Sequence, residues 1–170
     1  MKKLLLPLFL LFLYSCATTT SVKNANSNAP LAKIENNKLI CIVEPKDGAY
    51  EGKVYTGSGA YVLNIFTVNL QPFASEIITA DAKNYEAAAK ELGVTYIVKP
   101  IITHWEPRNA SWSMKPTRVE ISVSVFDLEQ NKYIINTNLS VKGRSVTFVD
   151  QSAEGLANAL IKQFVQDITK

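Results

Sequence analysis

Tyr96-Ile97-Val98-Lys99-Pro100-Ile101-Ile102-Thr103-His104-Trp105-Glu106-Pro107-Arg108, then Asn109-Ala110-Ser111-Trp112-Ser113-Met114-Lys115-Pro116, then Thr117-Arg118-Val119-Glu120-Ile121-Ser122-Val123-Ser124-Val125-Phe126-Asp127: on these residues the fold turns. Two strand-like runs flank a short loop, and the segment holds the only histidine and both tryptophans of the chain. The second run alternates without a break. Val119, Ile121, Val123 and Val125 face one way, and Arg118, Glu120, Ser122 and Ser124 the other, the pattern of an antiparallel strand half buried in a sheet. The first run contains Pro100, which has no N–H to give to a ladder and so implies an edge, a bulge or a local break.

Working outward, the turn Glu129-Gln130-Asn131-Lys132 leads into a strand over residues 133–145 with Ile135, Leu139 and Val141 inward. A last helix over residues 152–168 turns Leu156, Leu160, Ile161, Phe164, Val165 and Ile168 to the core, capped by Asp150 or Ser152. On the N-terminal side, residues 38–43 read as a buried strand. The loop 44–59 is rich in Gly and Tyr, with Asp47-Gly48 as a turn signal and Ser58 as the expected N-cap. Residues 60–73 read as a helix with Asn64, Thr67 and Gln71 on one face and Val62, Phe66, Leu70 and Phe73 on another. A short strand at 76–79 precedes a helix at 82–92, with Asp81 as cap, a Tyr85/Ala88/Ala89/Leu92 stripe and Gly93 as terminator. The order β-α-β-α-β-β-β-α predicts an α/β (α+β) domain, with helices packed on one mixed sheet of about five strands that includes parallel crossovers.

A length of 170 residues suits one domain, and 47% hydrophobic residues suffice for a core. Part of that apolar content is N-terminal. Lys2 and Lys3 precede an apolar run over residues 4–14, too short to span a bilayer as a helix but right for a secretory signal. Leu13-Tyr14-Ser15-Cys16 has the form of a lipobox. It resembles bacterial lipoproteins, in which the signal is cut before the Cys and that residue is acylated. The resemblance implies palmitate or similar chains on Cys16, and Ala17 in place of Asp implies outer-membrane rather than inner-membrane residence. More than one chain is what makes such anchoring stable. The expected organisation is a signal peptide (1–15), a lipidated Cys16 with a flexible polar tether (16–37), and one domain (38–170). Of the 18 basic residues, two go with the signal, leaving 16 against 15 acidic ones. No basic patch for nucleic acid remains. Once Cys16 carries lipid, Cys41 has no disulfide partner and reads as a small buried thiol.

His104-Trp105-Glu106-x-Arg108, Trp112-Ser113 and Lys115-Pro116, with the upstream Gly48-x-Tyr50-x-Gly52 and Tyr55-x-Gly57-Ser58-Gly59, resemble the signature of a domain-of-unknown-function family of small Gram-negative lipoproteins. Pro107, Met114 and Thr117 depart from it. The resemblance, over roughly residues 44–170, implies an address and a fold but no reaction. The element order is also similar to small periplasmic α/β modules, such as the N-terminal domain of the Tol-system propeller protein and lipoprotein activators of cell-wall synthases.

Among chemical readings, a single His excludes a multi-histidine metal centre, and no cofactor or metal is expected. Gly57-Ser58-Gly59 stands where a helix N-terminus could hold an anion. No Gly-Lys-Ser/Thr and no Gly-x-Gly-x-x-Gly accompanies it, so a structural turn is the plainer reading. His104, Trp105, Glu106, Arg108 and Trp112 form a candidate interaction patch, since Trp, Tyr and Arg carry interface energy. The competing reading packs both tryptophans over one end of the sheet. The function expected is an accessory module anchored by lipid to the outer membrane, with an envelope protein or peptidoglycan as partner. The alternative is a periplasmic enzyme or binding protein acting on cell-wall glycan, with Glu106 paired to Glu120 or Asp127.

Overall fold

The computed structural model describes residues 30–107, 115–143 and 152–169, together with the backbone of residues 19–24. One sheet of six strands organises the chain, in the order β1 (Thr19–Asn24), β8 (Lys132–Lys142), β7 (Arg118–Asp127), β6 (Tyr96–Glu106), β2 (Lys38–Val43), β5 (Ala74–Ala80). A small hairpin, β3 (Ala49–Tyr50) with β4 (Lys53–Val54), lies outside it. Helix α1 (Ser58–Leu70), continued by a 3-10 turn (Gln71–Phe73), connects β2 to β5. Helix α2 (Tyr85–Glu91) connects β5 to β6, and α3 (Ala153–Thr169) closes the domain. Strand β2 is parallel to both β5 and β6, whereas β6, β7, β8 and β1 pair antiparallel. The five strands and three helices expected from the sequence are all present, in the expected order.

The sheet carries one part of the core on each face. The inner face of the sheet meets α1 and α3, where Val62, Phe66 and Leu70 interlock with Leu160, Phe164 and Ile168 over Ile121, Val123 and Leu139, all fully buried. Phe66 and Phe164 meet edge to face at 6.1 Å, a favoured aromatic geometry. A smaller cluster lies on the outer face, where α2 covers Cys41, Val43, Val94 and Ile97 through Ala89. The alternation read in β7 and β8 holds: Val119, Ile121, Val123, Val125, Ile135, Leu139 and Val141 are inside. Beyond α2 the outer face is mostly polar, with Ile101 and Tyr133 exposed on it.

Pro100 sits within a continuous β6, paired to Val123 of β7. Its tolerance there has a topological cause. Strand β2 pairs with β6 only from Tyr96 to Val98, so from Pro100 onward that side of β6 is a free edge.

Several local expectations are corrected. Helix α2 runs only over Tyr85–Glu91: Asp81 accepts from the amides of Lys83 (2.7 Å) and Asn84 (3.2 Å) in a turn before the helix starts, and Leu92, the C-cap, is 56% exposed. Gly93, with φ 68°, ends it as expected. Ser58 is the first residue of α1 rather than its cap. The segment read as tether is partly structured: residues 19–24 run along β8, from Thr19 opposite Lys142 to Asn24 opposite Thr137. Ile34 is buried and its amide donates to the Ile168 carbonyl at 2.9 Å, so the packed domain begins several residues before Lys38. Ser152 does cap α3, accepting from the Gly155 amide at 3.1 Å. Asp150 lies outside the described residues.

Candidate functional site

The candidate patch is sorted by one irregularity. In β6, Tyr96, Val98, Pro100 and Ile102 pair with Asp127, Val125, Val123 and Ile121, so all point inward. Next, Ile102 pairs with Ile121 but His104 with Glu120, leaving Thr103 as the extra residue of a β-bulge. The bulge inverts the alternation. Trp105 turns inward opposite Val119 and is 1% exposed, while His104 and Glu106 turn to the outer face. Trp105 is therefore a core residue, and the recognition role expected for it is corrected: a ring buried between sheet and hairpin offers nothing to a partner. Gly48, at the start of the hairpin, makes this possible. A Cβ there would stand 2.6 Å from the Trp105 Cβ and 2.7 Å from the Ile102 Cγ2.

On the outer face, His104 Nε2 and Glu106 Oε2 lie 3.1 Å apart, with side chains only 19% and 18% exposed. The Tyr50 ring, brought by β3 across the free edge of β6, stacks at 4.9 Å from the imidazole with a 60° tilt. Strand register adds Glu120 opposite His104 and Arg118 opposite Glu106. Arg118 Nε donates to Glu120 Oε1 at 3.0 Å, and the Ser140 hydroxyl reaches the same oxygen at 3.5 Å. The Tyr50 hydroxyl is pushed up to about 12, first by its hydrogen bond to Glu51, then by burial and by the Glu106 carboxylate. It thus remains a hydrogen-bond donor at any physiological pH.

This arrangement pairs its charges internally. Glu120, one of the two acids considered as a second carboxylate for Glu106, is held by Arg118. Asp127, the other, is buried away from Glu106 and accepts from the Gln130 amide (2.8 Å) and side chain (2.7 Å), which makes it a turn anchor. Among the described residues, no three His, Cys, Asp or Glu side chains gather in a way that could hold a metal ion. Arg108, Trp112 and Cys16, the residue expected to be lipidated, lie outside the described residues.

The second candidate, Gly57-Ser58-Gly59, is a built turn. Gly57, at φ 90°, is the N-cap of α1 without a side-chain cap of its own. The free amides of Gly57 and Gly59 both donate to Asp47 Oδ1, at 3.0 and 2.8 Å. The chain's own carboxylate occupies the place an anion would take. Ser58 is buried, accepts from the Gly48 amide (2.8 Å) and donates to the Tyr55 carbonyl (2.7 Å), tying both ends of the loop together. A Cβ on Gly59 would meet the Pro45 carbonyl at 2.4 Å.

The family model described as "Domain of unknown function (DUF4823)" matches residues 32–168. The chain belongs to the DUF4823 family. The family boundary falls close to where packing begins at Ile34, within the segment first read as tether. Among solved structures, the DUF4823 fold is similar to PelC from Paraburkholderia phytofirmans, crystallised as a dodecamer. The TM-score is 0.67 at 13% identity, covering 89% of this chain and 99% of that one. A point variant of that PelC, also a dodecamer, aligns with a TM-score of 0.66 at 13% identity over 90% and 99%. Lipoprotein GNA1162 from Neisseria meningitidis aligns at a TM-score of 0.47 and 14% identity over 77% and 97%. At such identities the likeness is one of fold. Comparison with curated proteins gives no match. Among the described residues of this DUF4823 chain, no helix is long and apolar enough to cross a membrane.

Tyr50, Arg118 and Asp47 escaped the sequence reading of the site. Arg118 carries a local signal, since it stands two residues from Glu120 on one strand face. Tyr50 and Asp47 were legible only as part of a family motif and a turn, because their partners lie across the sheet edge and the loop.

Proposed function

We propose that this DUF4823 chain is a lipoprotein acylated on Cys16, held at the periplasmic side of the outer membrane, and serving as an interaction subunit of an envelope assembly. It binds and does not catalyse. The observation that supports this reading is the likeness of fold to PelC, crystallised as a dodecamer, over 89% of this chain, whose N-terminal residues read as a signal and lipobox. A head-to-tail assembly of copies needs two different surfaces that fit each other. The sheet offers two unlike edges for that purpose, parallel β5 on one side and antiparallel β1 on the other.

The test joins fractionation to native mass. Full-length chain expressed in a Gram-negative host should sediment with the outer membrane, take up labelled fatty acid, and run in detergent as one oligomer. Cys16→Ala should lose the label and enter the soluble periplasm. Retention of the unlabelled variant in membranes would sink the anchor, and a monomer without crosslinked neighbours in intact cells would sink the assembly.

A further inference from the structure

Helix α2 covers only part of the outer sheet face, and where its cover ends a cleft of about 170 Å³ opens against β6, β7 and the β7–β8 turn. One wall is Tyr85 of α2 and the other is Tyr133 of β8. The Tyr133 ring stands 61% exposed, propped edge to face at 5.0 Å on Phe126. Exposing such a ring is a cost that burial of a ligand would recover.

Lys99 rises from β6 between these walls. Its Nζ lies 5.0 Å from the centre of the Tyr85 ring and 3.5 Å from the Tyr85 hydroxyl, which itself donates to Glu86 at 3.0 Å. Among the described residues, no carboxylate comes within ion-pairing distance of Lys99 or of Lys90 at the cleft edge. The cleft therefore presents two ammonium groups against one carboxylate, and that carboxylate is already engaged. Asn131 and Ser124 add an amide and a hydroxyl.

The lining defines a ligand by its chemistry. Aromatic walls take a flat apolar face, an unmatched ammonium takes an anion, and the amide and hydroxyl take hydroxyl groups. A cavity of about 150 Å³ holds one six-membered ring, so this one takes a single ring with its substituents. We propose that the cleft binds an acidic pyranose, with the sugar face against Tyr133 and the carboxylate on Lys99. A neutral sugar would leave the ammonium unmatched, and a plain aromatic acid would leave Asn131 and Ser124 unmatched. The site requires neither the lipid anchor nor the assembly, so it stands or falls separately from both.

Isothermal titration of the full-length chain, in a detergent without a sugar headgroup, tests it. The probes are glucuronate and N-acetylmuramate, their neutral counterparts glucose and N-acetylglucosamine, and benzoate. At least one sugar acid should bind about tenfold or more tightly than its neutral counterpart, the scale of one charge contact; which acid binds separates a uronic polysaccharide from cell-wall muramyl units. Lys99→Met should remove that preference with an unchanged melting curve. Tyr133→Ala, at an exposed position, should weaken the acid and the neutral sugar alike. Equal binding of acid and neutral sugar, benzoate binding as tightly as the sugar acids, full affinity in both variants, or no heat from any probe at millimolar concentration would each overturn the proposal.

Discussion

Replacing Gly48 by Ala tests the contact on which the site depends. Gly48 does not have a positive φ, so the added methyl brings no backbone strain and its effect is steric. Its Cβ would stand at 2.6 and 2.7 Å from the Trp105 Cβ and Ile102 Cγ2, where carbon atoms rest at about 3.5–4.0 Å. The overlap falls on a Cβ and a branch methyl, next to the backbone, so no rotamer change removes it. Either the hairpin lifts or β6 bends. Overpacking of this kind costs about 1–3 kcal/mol, and these positions argue for the upper half. Against it stands the lower entropy of the unfolded alanine chain, worth about 0.4–1 kcal/mol. The steric effect wins, by about 2 kcal/mol. With a urea slope of about 2 kcal/mol/M, the unfolding midpoint followed by far-UV circular dichroism should fall by about 1 M. Gly155→Ala, exposed in α3 with only the Ser152 hydroxyl 3.3 Å from its added Cβ, is the comparison and should move the midpoint much less. If Gly48→Ala unfolds at the wild-type midpoint, the hairpin does not pack on Trp105 and the account of the bulge fails.

Other outcomes follow from single contacts. Asp47→Ala strips the acceptor from the amides of Gly59 in α1 and of its N-cap Gly57 and should cost about 1 kcal/mol, while Asp47→Asn, which keeps an acceptor, should cost less; equal losses in urea titrations would mean that the carboxylate charge, not the hydrogen bonds, matters. For Tyr50 the folded value lies above the unfolded one of about 10, so its contribution is intact below pH 10 and disappears as pH rises towards 12. Ultraviolet difference titration of wild type against Tyr50→Phe should show one phenol ionising near 12, and a difference transition at 10 would refute its hydrogen bonding. Cys41 is fully buried and burial raises its thiol, so the lipidated native chain should not react with a thiol reagent until unfolded. A native thiol that reacts at once, and is lost in Cys16→Ala, would show that Cys16 carries no lipid on sulfur.

Much of this fold is legible by counting. Val119 to Val125 alternate at period two and Leu156 to Ile168 recur at helical spacing, and both periods arise from local backbone geometry. Those signals established the element order, the inward faces of β7, β8 and α3, and the apolar environment of Cys41. Gly93 was legible for the same reason, since a left-handed terminator needs only its own φ. Leu92 was not, because the helix stops at Glu91 ahead of the left-handed Gly93 and leaves the stripe's last member as its C-cap.

What the chain could not disclose by itself depends on partners distant in sequence. Counting by twos from Val98 puts His104 inside and Trp105 outside, and Pro100, which signals an edge, a bulge or a break in this strand, does not single out Thr103 as extra. Only the register against β7, with Ile102 opposite Ile121 and His104 opposite Glu120, inserts the bulge and exchanges the two faces. Likewise, the Gly57 and Gly59 amides look free until Asp47 folds back onto them, and residues 19–24 look like spacer until β8 offers an edge. Local periodicity decides which segments are strands and helices. Whether a tryptophan faces a partner or the core is decided by how two strands slide past each other, a choice made by the packing of the whole sheet.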